Sequence, residues 1–467
     1  MKDIKRRFEL YSIWDHTGLE AHLTRMAKKG WLIDKIGNFF WIYRRIEPKK
    51  LSFCVTYYPK ATAFSPEPTE DQETFYEFCQ YAGWELAASC AQLQVFVNQR
   101  ENPTPIETDP VLELDTIHRT AKKSTLLSHF LLTLLALMQG GMFISSFRRD
   151  PIGLLSSASA LFSGMCWVIV LLISAGEFIG YYRWRAKAKK AAERGEFLAT
   201  NSRIKLQIGC LIVVGIGLLY YILSVFTSGD QVMMTVMPLM FLGMGLMIFL
   251  THALRDILKR KKISANVNRA VTIVACFVLS FALVGGITFG MLMGIQKGWF
   301  TGGRGTYQYH GSVFPIYDDA LPLTVEDLTG AEYGENVYTR EWRDTASLLL
   351  AQYTARQHPR FDAENYRDLP TLEYTVTQVK LPALYDMCKS ALLAEYDGSD
   401  EYWADRAYAP IDPAPWGAVE AYRVIHGEYG PRDIYLLCYP DRFVEFRPDG
   451  ELAAGQMALV GEILGGA

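Results

Sequence analysis

Residues 270–296 read AVTIVACFVLSFALVGGITFGMLMGIQ, 27 consecutive positions without Asp, Glu, Lys or Arg. About 20 apolar residues suffice for a helix to cross the hydrocarbon core of a bilayer, so this stretch already excludes a wholly soluble protein. Working outward, the property recurs in residues 124–147, 151–176, 206–229 and 231–254, charge-free runs of 24, 26, 24 and 24 residues. The average over 467 residues, half hydrophobic and 21% charged, conceals this pattern. The expected architecture is a polytopic α-helical membrane protein with five transmembrane helices over 124–296. Polar regions flank it, an α+β domain at 1–105 with a linker at 106–123, and a second α+β domain at 313–467 after a flexible linker at 297–312.

The net charge of −3 conceals three blocks. Residues 1–124 are balanced, 125–296 carry 16 basic and 6 acidic side chains, and 297–467 carry 14 and 27. So acidic a tail argues against nucleic acid as a partner. Eight cysteines without a CxxC pair signal neither a zinc site nor a disulfide framework, and neither a metal nor a cofactor is expected. Cys388 and Cys438 could pair only in an oxidising compartment.

Lys and Arg beside span ends are retained on the cytoplasmic side. Eight follow span two between Arg183 and Lys205, Arg203 among them, and six follow span four between Arg255 and Arg269. The first link has only Arg148 and Arg149, and the third has none. Odd spans should therefore run outward in a cell membrane, with the N-terminus cytoplasmic, as the lack of an N-terminal signal segment also suggests, and the C-terminus extracytoplasmic. The basic run after span two either fixes this topology or lies as an amphipathic helix on anionic lipid.

Small residues spaced by four let helices approach closely. Gly286, Gly290 and Gly294 have this spacing in span five, and Ser156, Ala160 and Gly164 in span two. Pro151 suits a first helical turn, and Pro238 either kinks span four or marks its outer end. His129, Glu177 and His252 lie just inside the cytoplasmic ends of their spans, where they either snorkel to the interface or form a polar cluster for a proton or metal. No carboxylate sits near the midplane and no two spans are broken at matching positions, so a secondary transporter is the less favoured class.

The N-terminal region contains one unit twice. A strand over Lys5–Ile13, a helix from Asp15 to Lys29 and a hairpin opening at Gly30–Trp31 and running through Phe39–Tyr43 form the first. A strand over Leu51–Tyr58, a helix from Glu70 to Tyr81 and a hairpin opening at Gly83–Trp84 form the second. Alternation in Phe53, Val55 and Tyr57, and the spacing of Leu19, Leu23 and Met26, carry these assignments. The expected result is a duplicated β-α-β-β antiparallel sheet with tryptophans packing helix on sheet.

Phe8, Trp14 and Asp15, then Lys28, Lys29, Gly30, Trp31 and Leu32, then Phe39–Tyr43 and Pro48, resemble a bacterial membrane-protein family known as domain-of-unknown-function family 2812. The run Tyr317–Leu323, followed by Glu326, Asp327 and Leu328, is similar to the tail of its longer members. The family brings no established catalytic residues; its genomic setting beside PadR-type regulators implies a role in envelope stress or regulation.

His16, His22, Asp15, Glu20 and Asp34 have no metal or nucleophile spacing. Asp15 reads as a helix N-cap and His22 as solvated. In the C-terminal region, strands are expected at Ser347–Ala355, Leu372–Val379, Ala421–Ile425, Asp433–Tyr439 and Arg442–Arg447, and helices at Pro382–Glu395 and Ala454–Leu464. Gly298, Gly302, Gly303 and Gly305 read as a flexible exit. The acidic motif Asp318, Asp319, Glu326 and Asp327 either supplies oxygens to a hard cation or, with Thr324, turns into a capped helix.

The leading functional expectation is a non-enzymatic sensor or regulatory adaptor in the lipid bilayer. Its outer acidic domain would meet a polar or cationic ligand, and its inner domain a protein partner. The alternative is a transporter or transport-accessory subunit.

Overall fold

The computed structural model describes residues 3–466 apart from 10, 13, 38–39, 67, 101, 201–203, 229–230, 298–304, 335, 397–405 and 428. Ile13, Phe39, Arg203, Gly298, Gly302 and Gly303 therefore lie outside the described residues. The chain divides into two units, one of Met1–Gly140, Cys166–Ile216 and Pro238–Ile287, the other of Gly141–Met165, Gly217–Met237 and Thr288–Ala467.

In the first unit β1 (Ile4–Arg7), α1 (His16–Lys28), β2 (Trp31–Lys35) and β3 (Trp41–Arg45) are followed by β4 (Ser52–Tyr57), α2 (Glu70–Tyr81), β5 (Glu85–Cys90) and β6 (Leu93–Asn98). Each group forms its own three-stranded antiparallel sheet in the order first, third, second. The repeat therefore builds two sheets rather than the single sheet expected. They are joined by side chains, because α1 packs on β2 of its own group and on β4 of the next. Leu23, Ile33, Tyr43, Val55 and Val95 share the resulting core, while Cys79, Trp84 and Phe96 form a smaller one under α2. Gly30 and Gly83 both end their helices at positive φ, +80° and +85°. A side chain at Gly30 would stand 2.9 Å from the Ile46 carbonyl oxygen.

The stretch read as a linker is helical from Pro110 onward. Asp109 accepts from the Val111 N–H at 2.8 Å and starts α3 (Pro110–Ala121), which passes through a π-turn at Lys122–Leu126 into α4 (Leu127–Arg149). Next come a short α5 (Pro151–Ser156), α6 (Ala158–Ala192), α7 (Ile204–Ser228), α8 (Gln231–Arg260) and α9 (Ala265–Gln296). Among the described residues, five helices, α4 and α6–α9, are long and apolar enough to cross a membrane. Their surfaces stay open and apolar, with Leu242 72% and Phe281 75% exposed. At 1.5 Å per residue, α6 spans about 52 Å, well beyond the ~30 Å of a hydrocarbon core. Ser157 has an extended backbone and separates α5 from α6. Ser156 therefore does not share a helix face with Ala160 and Gly164, as its spacing suggested. Pro238 lies inside α8.

The second unit carries the hairpin β7 (Thr306–Tyr309) and β8 (Ser312–Pro315), α10 (Val325–Thr329), β9 (Tyr338–Ala346), β10 (Leu350–Pro359), β11 (Leu372–Val379), α11 (Tyr385–Leu393), β12 (Arg406–Ile411), β13 (Glu420–His426), β14 (Gly430–Cys438), β15 (Arg442–Pro448) and α12 (Ala454–Leu464). Strands β9–β15 form one antiparallel sheet in the order β12-β13-β14-β15-β11-β10-β9. Alternation puts Tyr374, Leu437, Val444 and Phe446 on the face packed with α10 and α12. Leu350, Val379, Leu436 and Phe443 point the other way, towards α11 and α5. Cys388 and Cys438 are free thiols buried there, so they do not pair.

Candidate functional site

The first unit gathers its buried polar chemistry around the start of α1. Asp15 turns its carboxylate onto the Gly18 N–H at 3.3 Å, the expected N-cap. The same oxygen accepts from the Thr200 hydroxyl, and the Thr200 backbone N–H donates to Thr17 Oγ1 at 2.8 Å. The segment after α6 is thereby tied to the first turn of α1.

One residue earlier, Trp14 donates its indole N–H to Glu177 Oε2 at 3.1 Å, and the Ser12 hydroxyl donates to the same oxygen at 2.8 Å. Gln207 Nε2 donates to the other oxygen at 2.9 Å. Glu177 is only 5% exposed, and a buried carboxyl group is tolerated because its lone pairs find donors. The Trp14 ring lies against Trp184 and Tyr181 of α6, and His118 of α3 meets the Tyr181 hydroxyl at 2.8 Å. The N-terminal domain is thus clasped to α6.

Beside the clasp opens a cleft of about 460 Å³ lined by His16, Glu20, Glu107 and Glu113, with Phe197, Leu198 and Ala199 on its rim. Glu20 accepts from the Val55 N–H at 2.8 Å, and burial pushes its carboxyl up to about 7. Glu113 is also pushed up to about 7, by burial and then by repulsion from Glu107 and Glu20. Burial raises Glu107 as well, against a hydrogen bond from Thr56 at 2.7 Å. His16 places Nε2 3.3 Å from Glu113 and Nδ1 3.3 Å from the Trp14 carbonyl oxygen. A carbonyl can only accept, so the hydrogen-bond pattern assigns a proton to Nδ1, and burial lowers the imidazole. In the neutral ring Nε2 then accepts, and Glu113 supplies the proton between them.

Sequence reading singled out Glu177 but missed Ser12, Thr200, Gln207, Glu107 and Glu113. An available signal was the Asp109–Pro110 pair, a helix start that puts Glu113 in a first turn. His22 is not solvated as read: it sits 3.2 Å from Glu9, its side chain 12% exposed. His129 buries Nδ1 without a hydrogen-bond partner among the described residues, and His252 Nδ1 bonds the Ile248 carbonyl oxygen of its own helix at 2.8 Å. Among the described residues no three His, Cys, Asp or Glu side chains are placed to hold a metal ion, so His129, Glu177 and His252 do not form a metal cluster.

Of the small residues, Gly164 meets the Phe143 ring, where an added Cβ would come within 2.8 Å. Around Gly286 and Gly290 there is open space, while Gly294 is buried. Ala160 donates its backbone N–H to Ser157 Oγ at 3.2 Å.

The acidic motif has its own partners. Arg340 holds Glu326 at 2.7 Å and Asp318 at 3.6 Å, and Asp319 accepts from the Trp342 N–H at 3.1 Å. Asp327 accepts from the Thr324 N–H at 2.9 Å in a capping box. Burial alone would raise Glu326, but hydrogen bonds from Gln357 and Arg340 hold it below the usual carboxylate range. The capped-helix reading stands, and the cation site does not, because the oxygens serve Arg340 and backbone N–H groups.

The chain matches no curated protein and no solved structure. Residues 16–130 match the family described as "Protein of unknown function (DUF2812)", a match that runs from the start of α1 through β2–β6 and α3 into α4. The N-terminal domain, with the helix that leads from it into the first long apolar segment, belongs to the DUF2812 family.

Proposed function

We propose that the chain is an integral membrane regulatory adaptor with its N-terminal domain in the cytoplasm and its C-terminal domain outside. The observation that carries this reading is the clasp on Glu177. A folded domain held to a long apolar helix by buried hydrogen bonds is mechanically joined to it, so a shift of α6 reaches the domain. Five helices with open apolar surfaces support insertion in lipid, and an odd number of crossings leaves the termini on opposite sides. The cleft beside the clasp offers carboxyl groups that change charge near neutrality, which suits a contact meant to be adjusted. The exposed outer face of α2, with Phe78 66% and Tyr81 93% exposed, is the surface offered to a protein partner.

Photo-crosslinking from position 78 in intact membranes tests the adaptor. A discrete protein partner, lost when the clasp is broken by Glu177→Ala, is expected. No crosslinked protein above background overturns the reading, and substrate flux in proteoliposomes would replace it with transport. A reporter fused after Ala467 that is active inside the cell would overturn the orientation.

A further inference from the structure

We infer that the C-terminal domain binds a neutral carbohydrate in the cleft beneath its β7–β8 hairpin. The inference rests on the reading of this domain as the part of the adaptor that meets a ligand, and it names the class of that ligand.

Register places the floor. Thr339 pairs with His358 and Glu341 with Arg356 across β9 and β10, and Arg356 pairs with Glu373 across β10 and β11. Since side chains alternate along a strand, these residues share the sheet face that carries Leu350 and Val379. At the Leu350 end that face is covered by α5 and α11. At the other end it bears polar groups, and aromatic rings stand over them. The space left measures about 460 Å³, inside the ~300–1,000 Å³ range of small-molecule sites.

The walls are Tyr307, Phe314, Phe361 and Tyr366. Phe361 lies 5.2 Å from Phe314 and 5.8 Å from Tyr366 between ring centroids, and Phe314 lies 5.4 Å from Tyr307. These contacts hold the rings in place before any ligand arrives, yet Phe361 remains 42% exposed. Arg360 backs Tyr307 at 4.6 Å and is itself neutralised by Asp362 at 2.7 Å.

Charge decides the ligand class. The lining holds two acidic side chains, Glu341 and Asp449, and two basic ones, Arg356 and Arg367. Arg356 is fixed by Glu373 at 2.8 Å, and Glu341 by Arg343 at 2.6 Å. Burial lowers His358, so it adds no charge at neutral pH. A net anion or cation therefore finds no excess of opposite charge. A wholly apolar ligand would cover Glu341, Arg356 and His358 without satisfying them, which is costly. A sugar ring meets both demands: its C–H faces pack on the electron-rich faces of aromatic rings, and its hydroxyl edge takes and gives hydrogen bonds to fixed, paired side chains.

The test uses the full chain in lipid nanodiscs, avoiding sugar-headed detergents, with maltose, cellobiose and di-N-acetylchitobiose as probes and tetramethylammonium and citrate as charged controls. Calorimetry should show binding of at least one disaccharide, weakened about ten-fold by Phe361→Ala and weakened by Glu341→Gln with the thermal midpoint preserved. No disaccharide binding at about 10 mM, a limit corresponding to under about 3 kcal/mol of affinity, overturns the inference. So does tighter binding of either charged control, or saccharide binding that Phe361→Ala leaves unchanged. The double variant Thr17→Cys with Thr200→Cys reports separately on the clasp. Saccharide binding that leaves its crosslinking yield unchanged supports the site and removes the adaptor reading.

Discussion

Trp14 and Glu177 meet through an indole N–H donated to a carboxylate oxygen at 3.1 Å, although 163 positions separate them in the chain. This bond joins the residues just ahead of the DUF2812 match to a helix long enough to cross a membrane. Glu177→Gln puts an amide NH₂ where one of three donors points, and Trp14→Phe removes one donor. Each should cost about 1–3 kcal/mol. Thermal unfolding of the purified protein, followed through tryptophan fluorescence, reads this, and a midpoint unchanged in both variants would show that the clasp contributes nothing.

The second tie is between Asp15 and Thr200. Asp15→Ala loses both the cap on Gly18 and the bond to Thr200, an expected loss of about 1–3 kcal/mol. In a double-mutant cycle with Thr200→Val the two changes should couple by about 1 kcal/mol. Strict additivity would mean that the segment after α6 is not held by this cap.

The acids of the cleft give the clasp a pH dependence with a definite sign. Glu20 and Glu113 titrate near 7 in the folded protein, against 4.5 ordinarily. Between those values the folded state keeps protons that the unfolded chain has released, so stability present below about pH 4.5 is lost as pH rises through about 7. For Glu20 the difference corresponds to about 3 kcal/mol; the partly exposed Glu113 contributes less. His16, lowered by burial, works the other way, gaining stability as pH rises towards 6.5. With three raised acids, Glu20, Glu107 and Glu113, against one lowered base, the thermal midpoint of the N-terminal domain should fall from pH 5 to pH 8. Glu20→Gln, which keeps the acceptor for Val55, should flatten the curve; a midpoint that rises over this range contradicts the assignment.

α12 approaches the turn at Trp416 so closely that a Cβ at Gly461 would stand 2.0 Å from the Trp416 carbonyl oxygen. Since the obstacle is backbone, Gly461→Ala should destabilise the C-terminal domain by about 3 kcal/mol or more. Gly455 on the same helix has open space around it, and Gly455→Ala should be neutral or gain up to about 1 kcal/mol. Equal effects from the two would mean that this contact is not as close as described.

The carboxylates from Asp318 to Asp327 serve Arg340, Trp342 and Thr324. Millimolar calcium, or its removal by chelator, should therefore leave the thermal midpoint of the full chain unchanged. Arg340→Gln should lower it, because Glu326 loses its charged partner. Calcium-induced stabilisation would restore the cation reading.

Much of the architecture was legible because it depends on near neighbours. α2 at Glu70–Tyr81, β11 at Leu372–Val379 and α12 at Ala454–Leu464 have the bounds that their periodicity indicates, and the five charge-free runs mark five long helices. β7, β8, β9 and β12 escaped notice because their residues form ladders with partners whose identity the local pattern does not carry. The place of Glu177 in a long helix could be read from the sequence, but Ser12 and Trp14 as its donors could not. Nor could the closeness of Glu20, Glu107 and Glu113, whose altered acidity comes from burial rather than from adjacent residues. Periodicity and charge set which segments become helices, strands or apolar spans. Closure of the chain over long distances decided which polar groups lost their water, and with that where the chemistry lies.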